Sequence, residues 1–512
     1  MATPSEKLAA SLEVLHGLQA NGHRVFRSEE FTRVHRERLL RHGYLQQIIK
    51  GWLMSTRPGT IAGDTTPWHA TFWEFCARYS SDRFGDDWHL SPELSLLIHA
   101  EATAIPRQVV VYTPRGSNNT IELLFDTSLY DLMTGAMPPA EDIVRRDGLP
   151  LFTPSAALVR VPDSFFTRHP VEAQVALGSV QDASDVLRPL LAGGHSVVTG
   201  RLAGAFRRIG RKDVADEVLR TMTVAGYDVR EADPFAGEHA SGAVRPRTPP
   251  MVARIRGLWN AMREAIIATF PTPPGLPDSV TDYLGFVDDI YGSDAYHSLS
   301  IEGYGVTPEL VERVRSGDWN PEHAPNDRGE RDALAARGYW QAFQAVKRSV
   351  AAVLAGANPG ELARAAHRDW YRELLQPFVT AGVLSPSALA GYRTDPVYLK
   401  DSRHVPPRAQ AVREAMPALF DLLEAEPEPS VRAVLGHWLV GYIHPYPDGN
   451  GRIARFLMNV MLSSGGYRWT VIRMEDRDAY LSALEAASVD SDMQPFALFL
   501  AERVRWSLDR MP

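Results

Sequence analysis

Apolar residues recur at the three- and four-residue spacing of amphipathic helices through most of the C-terminal half of the chain. MVARIRGLWNAMREAII, ALAARGYWQAFQAVKRSVAAVLAG, ARAAHRDWYRELLQPFV, VREAMPALFDLLEAE, VRAVLGHWLVGYI and RIARFLMNVMLSS all carry this pattern. One extended piece interrupts them. PVYLKDSRHVPP, 396–407, has prolines at both ends and a turn-prone Asp401-Ser402, which predicts a short exposed β-hairpin. Upstream the pattern is mixed. FTRVHRERLLRHGYLQQIIKGWLMS, 31–55, reads as a helix, a turn at Gly43 and short extended pieces, and WHATFWEFCARYSSDRFG and LSPELSLLIHA read as two further helices. RQVVVYTPRGSNNTIELLFD alternates about a GSNN turn and predicts a second hairpin. A strand and then helices fill about 150–230, after which Pro, Gly and Ala displace the periodicity in EADPFAGEHASGAVRPRTPP. The expected chain is multidomain and mainly α. Its mixed α+β N-terminal half divides into 1–60 and 61–230, a linker covers 231–250, and a helical domain covers 251–512.

Composition narrows the class of protein. At 512 residues the chain is too long for one ordinary core, and its net charge of −8 argues against coating nucleic acid or membrane wholesale. A single cysteine, Cys76, rules out an intramolecular disulfide framework and Cys-rich metal sites, and its place in TFWEFCARY predicts a buried thiol. The N-terminus lacks the basic and apolar regions of a secretory leader, and no apolar run is long enough to span a bilayer. A cytoplasmic protein with no membrane partner is expected.

The chemistry concentrates in HPYPDGNGRIAR, 444–455. The helix before it must stop at His444, because the residue before a proline is pushed out of the right-handed helical region. Pro445 and Pro447 stiffen the loop, while Gly449 and Gly451 let N–H groups around Asn450 converge into an anion-binding concavity. A second helix starting at about Arg452 adds its free N–H groups and its dipole, making a phosphate site. Arg452 and Arg455 share one face of the first turn and oppose the dipole by about 0.3–1 kcal/mol each, so an anion is needed to offset them. Asp448 is a hard oxygen ligand suited to Mg²⁺ on phosphates, and His444 can accept a proton near neutral pH. The alternative of a transition-metal site from His437, His444 and Asp448 leaves GNGR and Arg455 unexplained.

HPYPDGNGRIAR resembles the signature of the Fic family, HPFx(D/E)GNGRxxR, with Tyr446 in place of the usual phenylalanine. The resemblance implies a helical Fic domain with a small β-hairpin flap, and transfer of AMP from ATP to a Ser, Thr or Tyr hydroxyl of a protein target, with auto-modification as a further outcome. It makes His444 the general base and Asp448 the ligand of Mg²⁺ on the α- and β-phosphates. Gly449, Asn450, Gly451, Arg452 and Arg455 then grip the triphosphate.

A second motif, AYHSLSIEGYGVT, sets Ser298, Glu302 and Gly303 in the spacing (S/T)xxxE(G/N). It resembles the inhibitory helix of Fic proteins, in the class where that helix precedes the Fic core. A helix ending in Glu-Gly puts a carboxylate where the dipole disfavours it unless a cation lies nearby, and Arg455 is the expected partner. Occupying Arg455 would force ATP into an unproductive pose; the same Glu302 could alternatively position a water that removes AMP. Tyr398 and Lys400, on the expected flap, either hold a target segment by strand addition or are ordinary edge residues. Tyr480 either contacts adenine or packs its helix. Arg24, Arg27, Arg33, Arg36, Arg38, Arg41 and Lys50 make the first sixty residues basic. With the short GWLMS strand, this region resembles the winged-helix start of AbiEi-type antitoxins, leaving a DNA contact surface or a solvated basic face as alternatives. Two function classes remain: a self-inhibited adenylyltransferase, and a DNA-binding, antitoxin-like regulator whose Fic module senses nucleotide.

Overall fold

The computed structural model describes residues 3–59, 63–235, 248–318 and 331–509. Most of the expected linker, 236–247, lies outside the described residues. The chain divides into two compact units, one of Met1–Pro250 with Tyr398–Val405 and one of Met251–Val397 with Pro406–Pro512. Among the described residues no helix is long and apolar enough to cross a membrane.

The first unit begins with α1 (Pro4–Gln19), fixed by a capping box in which Thr3 and Glu6 bond reciprocally. β1 (Val25–Arg27), α2 (Arg33–Arg41), β2 (Leu45–Ile49) and β3 (Trp52–Ser55) follow. The strands form an antiparallel sheet in the order β1-β3-β2, and Leu15, Phe26, Phe31, Leu39, Leu45 and Leu53 fill the space beneath it. Next come α3 (Thr66–Phe84), β4 (His89–Leu90), α4 (Pro92–His99), β5 (Gln108–Thr113), β6 (Asn119–Glu122), β7 (Ser128–Met133), β8 (Ile143–Arg146) and β9 (Leu149–Phe152). Cys76 lies in this core, where burial raises its thiol pKa and keeps it protonated. The helices α5 (Pro154–Arg160), α6 (Ser164–Arg168), α7 (Pro170–Ser179), α8 (Ala183–Gly193), α9 (Ser196–Arg208) and α10 (Lys212–Val224) close around Leu158, Phe165, Phe166, Leu202 and Phe206.

Two expected hairpins are corrected by the structure. β5 and β6 do not pair with each other, because β7 lies between them, parallel to β5 and antiparallel to β6, in a sheet ordered β4-β5-β7-β6. The GSNN segment is therefore a crossing. The buried Asp131 carboxylate on β7 draws it over by accepting the N–H groups of Ser117 and Asn119 at 2.7 and 3.3 Å. Gly116 permits the passage, since a Cβ there would lie 2.7 Å from the Met133 nitrogen. The segment 396–407 likewise makes no hairpin of its own. Its central part, Tyr398–Val405, belongs to the first unit, where Arg403 and Val405 exchange backbone hydrogen bonds with Ile105 and Thr103 at 2.8 Å and His404 bridges Ala104. The Arg403 guanidinium also donates to the Ile105 carbonyl, so the backbone around 403–405 is engaged within this unit.

The second unit is helical: α11 (Pro250–Thr269), α12 (Val280–Ile301), α13 (Pro308–Ser316), α14 (Arg331–Leu354), α15 (Pro359–Thr380), α16 (Ala409–Ala425), α17 (Pro429–Ile443), α18 (Asn450–Ser463), α19 (Arg477–Val489) and α20 (Gln494–Asp509). α17 and α18 are its centre. Both are buried along almost their whole length, which is why VRAVLGHWLVGYI is apolar on nearly every face and not on one stripe.

Gly116→Ala should destabilise the first unit by about 1–3 kcal/mol, because the added carbon meets backbone that cannot yield. Gly135→Ala, where a Cβ meets nothing within 4 Å, is the control. Thermal unfolding of both variants checks this, and equal melting temperatures would contradict the crossing.

Candidate active site

The loop between α17 and α18 carries the sequence's densest chemistry. α17 ends at Ile443, and His444 takes a left-handed conformation, φ 50 and ψ 59, so the helix stops where Pro445 requires but turns the opposite way from an extended strand. Tyr446 is fully buried and stacks on Tyr371 with ring centroids 3.9 Å apart. Its N–H donates to Asn450 Oδ1 at 2.9 Å, and its carbonyl accepts from Asn450 Nδ2 at 2.8 Å. Asn450 is thus a staple across the loop, with its amide committed to the backbone of Tyr446. Gly449, with φ 80, caps the start of α18, and Asp448 is 58% exposed, accepting from the Gly449 N–H at 2.6 Å. The hydroxyl that tyrosine adds at 446 has no hydrogen-bond partner among the described residues.

The two arginines of α18 are buried, Arg452 at 1% and Arg455 at 3% exposure. Arg455 is engaged through Nε, which donates to the Ser298 hydroxyl at 2.8 Å, and through Nη2, which donates to the Ser298 carbonyl at 3.0 Å and to Glu302 Oε1 at 2.6 Å. Burial works against its charge, and Glu302 more than compensates, so its pKa rises. Arg452 is the opposite case. Its Nη2 approaches Asp448 at 3.2 Å and its guanidinium lies 5.2 Å from the Tyr304 ring centroid, but Nε and Nη1 are buried without partners. Two buried, unmatched donors on a cation suit an anion with several oxygens.

Glu302 caps α12, and Gly303 follows with φ 82, so this helix ends in the Glu-Gly turn read from the sequence. Asp294, Ser298 and Glu302 stand four residues apart and share one face of α12. Asp294 is buried, and desolvation raises its pKa to about 6 against the pull of the Tyr339 hydroxyl, which donates to it at 2.6 Å, and of Arg455. A cavity of about 470 Å³ opens beside Glu302, between the end of α12 and the start of α19. Arg477 borders it and donates to the Ile301 carbonyl at 3.1 Å.

His444 is half-buried. Desolvation, and after it the charge of Arg393, lower its pKa to about 4, opposed by a Gly441 backbone hydrogen bond, Glu302 and Asp448. Arg393 gave no signal in the sequence beyond being an arginine in a loop. Tyr304 likewise went unnoticed, whereas Asp294 was detectable from its four-residue spacing to Ser298. The Tyr480 ring packs among His437, Phe496 and Phe499, and its hydroxyl pairs with His437 Nε2 at 2.7 Å. His437 Nε2 is thereby committed to Tyr480. Among the described residues no group of three or more His, Cys, Asp or Glu is arranged to hold a metal ion.

With this geometry in view, residues 361–462, from α15 into α18, match the Fic/DOC family, so the chain carries a Fic/DOC domain. It is 38% identical over 132 residues to "Protein adenylyltransferase Fic" of Nematostella vectensis, covering 25% of this chain and 30% of that protein. It is also 30% identical over 133 residues to "Protein adenylyltransferase fic-1" of Caenorhabditis elegans, covering 25% and 26%. The chain therefore spans less than a third of the length of these curated relatives. A solved structure of C. elegans Fic-1 (aa 134–508) overlaps with a TM-score of 0.37 at 20% identity, covering 66% of this chain and 96% of that one.

Asp294→Asn should separate charge from shape. The folded pKa of about 6 lies above the ordinary value of ~3.9, so ionisation of Asp294 opposes folding, and stability is lost as pH rises from about 4 to about 6. The variant should match wild type in urea midpoint at about pH 3 and exceed it at about pH 8, a difference of roughly 3 kcal/mol. An equal midpoint at pH 8 would contradict a buried, strained carboxylate.

Proposed function

We propose that the protein transfers AMP from ATP to a hydroxyl of a protein target and holds itself inactive through Glu302. The observation that carries this reading is the 2.6 Å pair between Glu302 and Arg455 beside an Arg452 with unmatched buried donors. One arginine is covered by an internal carboxylate, and the other pairs with Asp448 through Nη2 alone while its Nε and Nη1 stay unmatched, which suits a self-occupied polyphosphate cradle. The curated relatives named adenylyltransferases support ATP as co-substrate.

In the proposed reaction the imidazole of His444 takes the proton of the target hydroxyl as its oxygen forms a bond to the α-phosphorus. The bond from that phosphorus to the bridging oxygen breaks, and pyrophosphate leaves. Gly449, Gly451 and the free N–H groups at the start of α18 face the phosphates, with Arg452 and, once released, Arg455 binding the outer oxygens. Asn450 acts indirectly by holding the loop. Asp448 suits Mg²⁺, since a single outward carboxylate is what an ion that keeps its waters and shares phosphate oxygens needs. When bound, Mg²⁺ would neutralise phosphate charge. Glu302 is exposed enough to work also on a water, so removal of AMP from a modified protein is a second activity of the same site.

DNA binding by residues 1–60 is a weaker second reading. It is supported by the β1-β3-β2 sheet beside α2 and by the exposure of Arg24, Arg33, Arg41 and Lys50. Arg27, Arg36 and Arg38, however, are engaged with Asp82, the Ser28 carbonyl and the Lys7 carbonyl. A salt-dependent gel shift by the full chain tests it.

Incubation with α-labelled ATP and Mg²⁺ tests the main reading. Glu302→Gly should raise label incorporation roughly 10- to 150-fold, the equivalent of losing one charged hydrogen bond of about 1.5–3 kcal/mol. His444→Ala in that background should abolish it. Because His444 stays neutral above about pH 4, the acid limb of kcat/KM should lie below pH 6. Wild type and Glu302→Gly incorporating equally would remove the inhibitory role.

A further inference from the structure

We propose that Arg393 is the positioning residue for His444: one buried guanidinium clamps the end of α17 and the loop after it, and keeps the imidazole where it can accept a proton. The inference rests on reading His444 as the general base.

The backbone at this point needs a clamp. His444 is a non-glycine residue in a left-handed conformation, which costs on the order of 1–2 kcal/mol. Pro445 follows and has no N–H to donate, so the last carbonyls of α17 lack donors from the chain ahead of them. Arg393 supplies those donors. Its Nε donates to the His444 carbonyl at 2.7 Å, and its Nη2 donates to the Ile443 carbonyl at 3.4 Å and to the Pro407 carbonyl. Nη1 donates to the Asp395 carbonyl at 2.9 Å, and its own backbone N–H donates to the Pro445 carbonyl at 2.8 Å. Three consecutive carbonyls, at 443, 444 and 445, are thus held by one residue that is 3% exposed.

Every partner of this guanidinium is a carbonyl, and among the described residues no carboxylate pairs with it. Its charge is therefore not cancelled locally. It rests at the negative end of the α17 dipole, which stabilises a cation, and it acts on the imidazole beside it. The charged groups facing that imidazole are Arg393, which favours the neutral ring, and Glu302 and Asp448, which favour the protonated one. A planar fork of donors is required to reach carbonyls in several directions, so lysine is not equivalent.

The full chain, labelled with ¹³C-histidine, would be titrated by NMR as wild type, Arg393→Met and Arg393→Lys, with His444→Ala to assign the signal. In the Glu302→Gly background, kcat and KM for ATP would be measured for the same variants. Arg393→Met should move the His444 midpoint to higher pH and lower kcat about ten- to a hundredfold, with KM for ATP changing less than about threefold. Arg393→Lys should leave the midpoint near that of wild type and recover kcat only in part. An unmoved midpoint with unchanged kcat in Arg393→Met would overturn the proposal. If that variant does not fold, full kcat in Arg393→Lys would overturn it alone. A Glu302→Gly protein that transfers no AMP would sink the enzyme reading separately, while the titration still decides whether Arg393 holds His444.

Discussion

Two guanidinium groups buried in the first turns of one helix must find negative charge, and much of the second unit is arranged around that need. An unpaired cation at such depth costs several kcal/mol, and the positive end of α18 adds to the cost. For Arg455 the solution is internal: α12 docks so that a serine hydroxyl, a serine carbonyl and a carboxylate converge on one side chain. Glu302, one helical turn after Ser298, is carried into range by α12 itself, and the chain turns away at Gly303. Arg452 has the Tyr304 ring and one Asp448 oxygen on Nη2, an incomplete answer that leaves its Nε and Nη1 unmatched. The asymmetry between neighbours three residues apart is the physical basis of the functional reading.

The loop that presents His444 has the rigidity such chemistry demands, and its parts are drawn from distant sequence. Asn450 ties the two ends of the turn together, the Tyr371 ring supports Tyr446, and Arg393 holds the carbonyls. None of the three needs to touch a substrate. Their combined effect is to remove the freedom that a six-residue turn with two prolines and a glycine would otherwise keep, so ordering costs are met during folding and not at binding.

How much of this was readable in the chain depends on whether the information was local. The helices around Trp370, Trp438 and Phe456 follow from apolar spacing, and the halt at His444 follows from Pro445. The pairing of Glu302 with Arg455 was also visible, because a Glu-Gly helix end and a doubly basic helix start each lacked a counter-charge. What escaped was the choice among distant partners. Alternation around GSNN is the same whether β6 pairs with β5 or crosses over β7, and only the buried Asp131 decides. PVYLKDSRHVPP has the composition of a hairpin, yet Arg403 and Val405 find better partners at Ile105 and Thr103. An arginine such as Arg393, surrounded by carbonyls, leaves no compositional mark, since carbonyls occur at every residue.

Gly451 carries a consequence of its own. A side-chain carbon at this position would sit 2.2 Å from Glu302 Oε1, so the carboxylate occupies volume that exists only because one residue of the phosphate loop has none to fill it. Under the proposed reading, restraint and catalysis share a single hydrogen atom's worth of room, and any residue larger than glycine would evict the first while crowding the second.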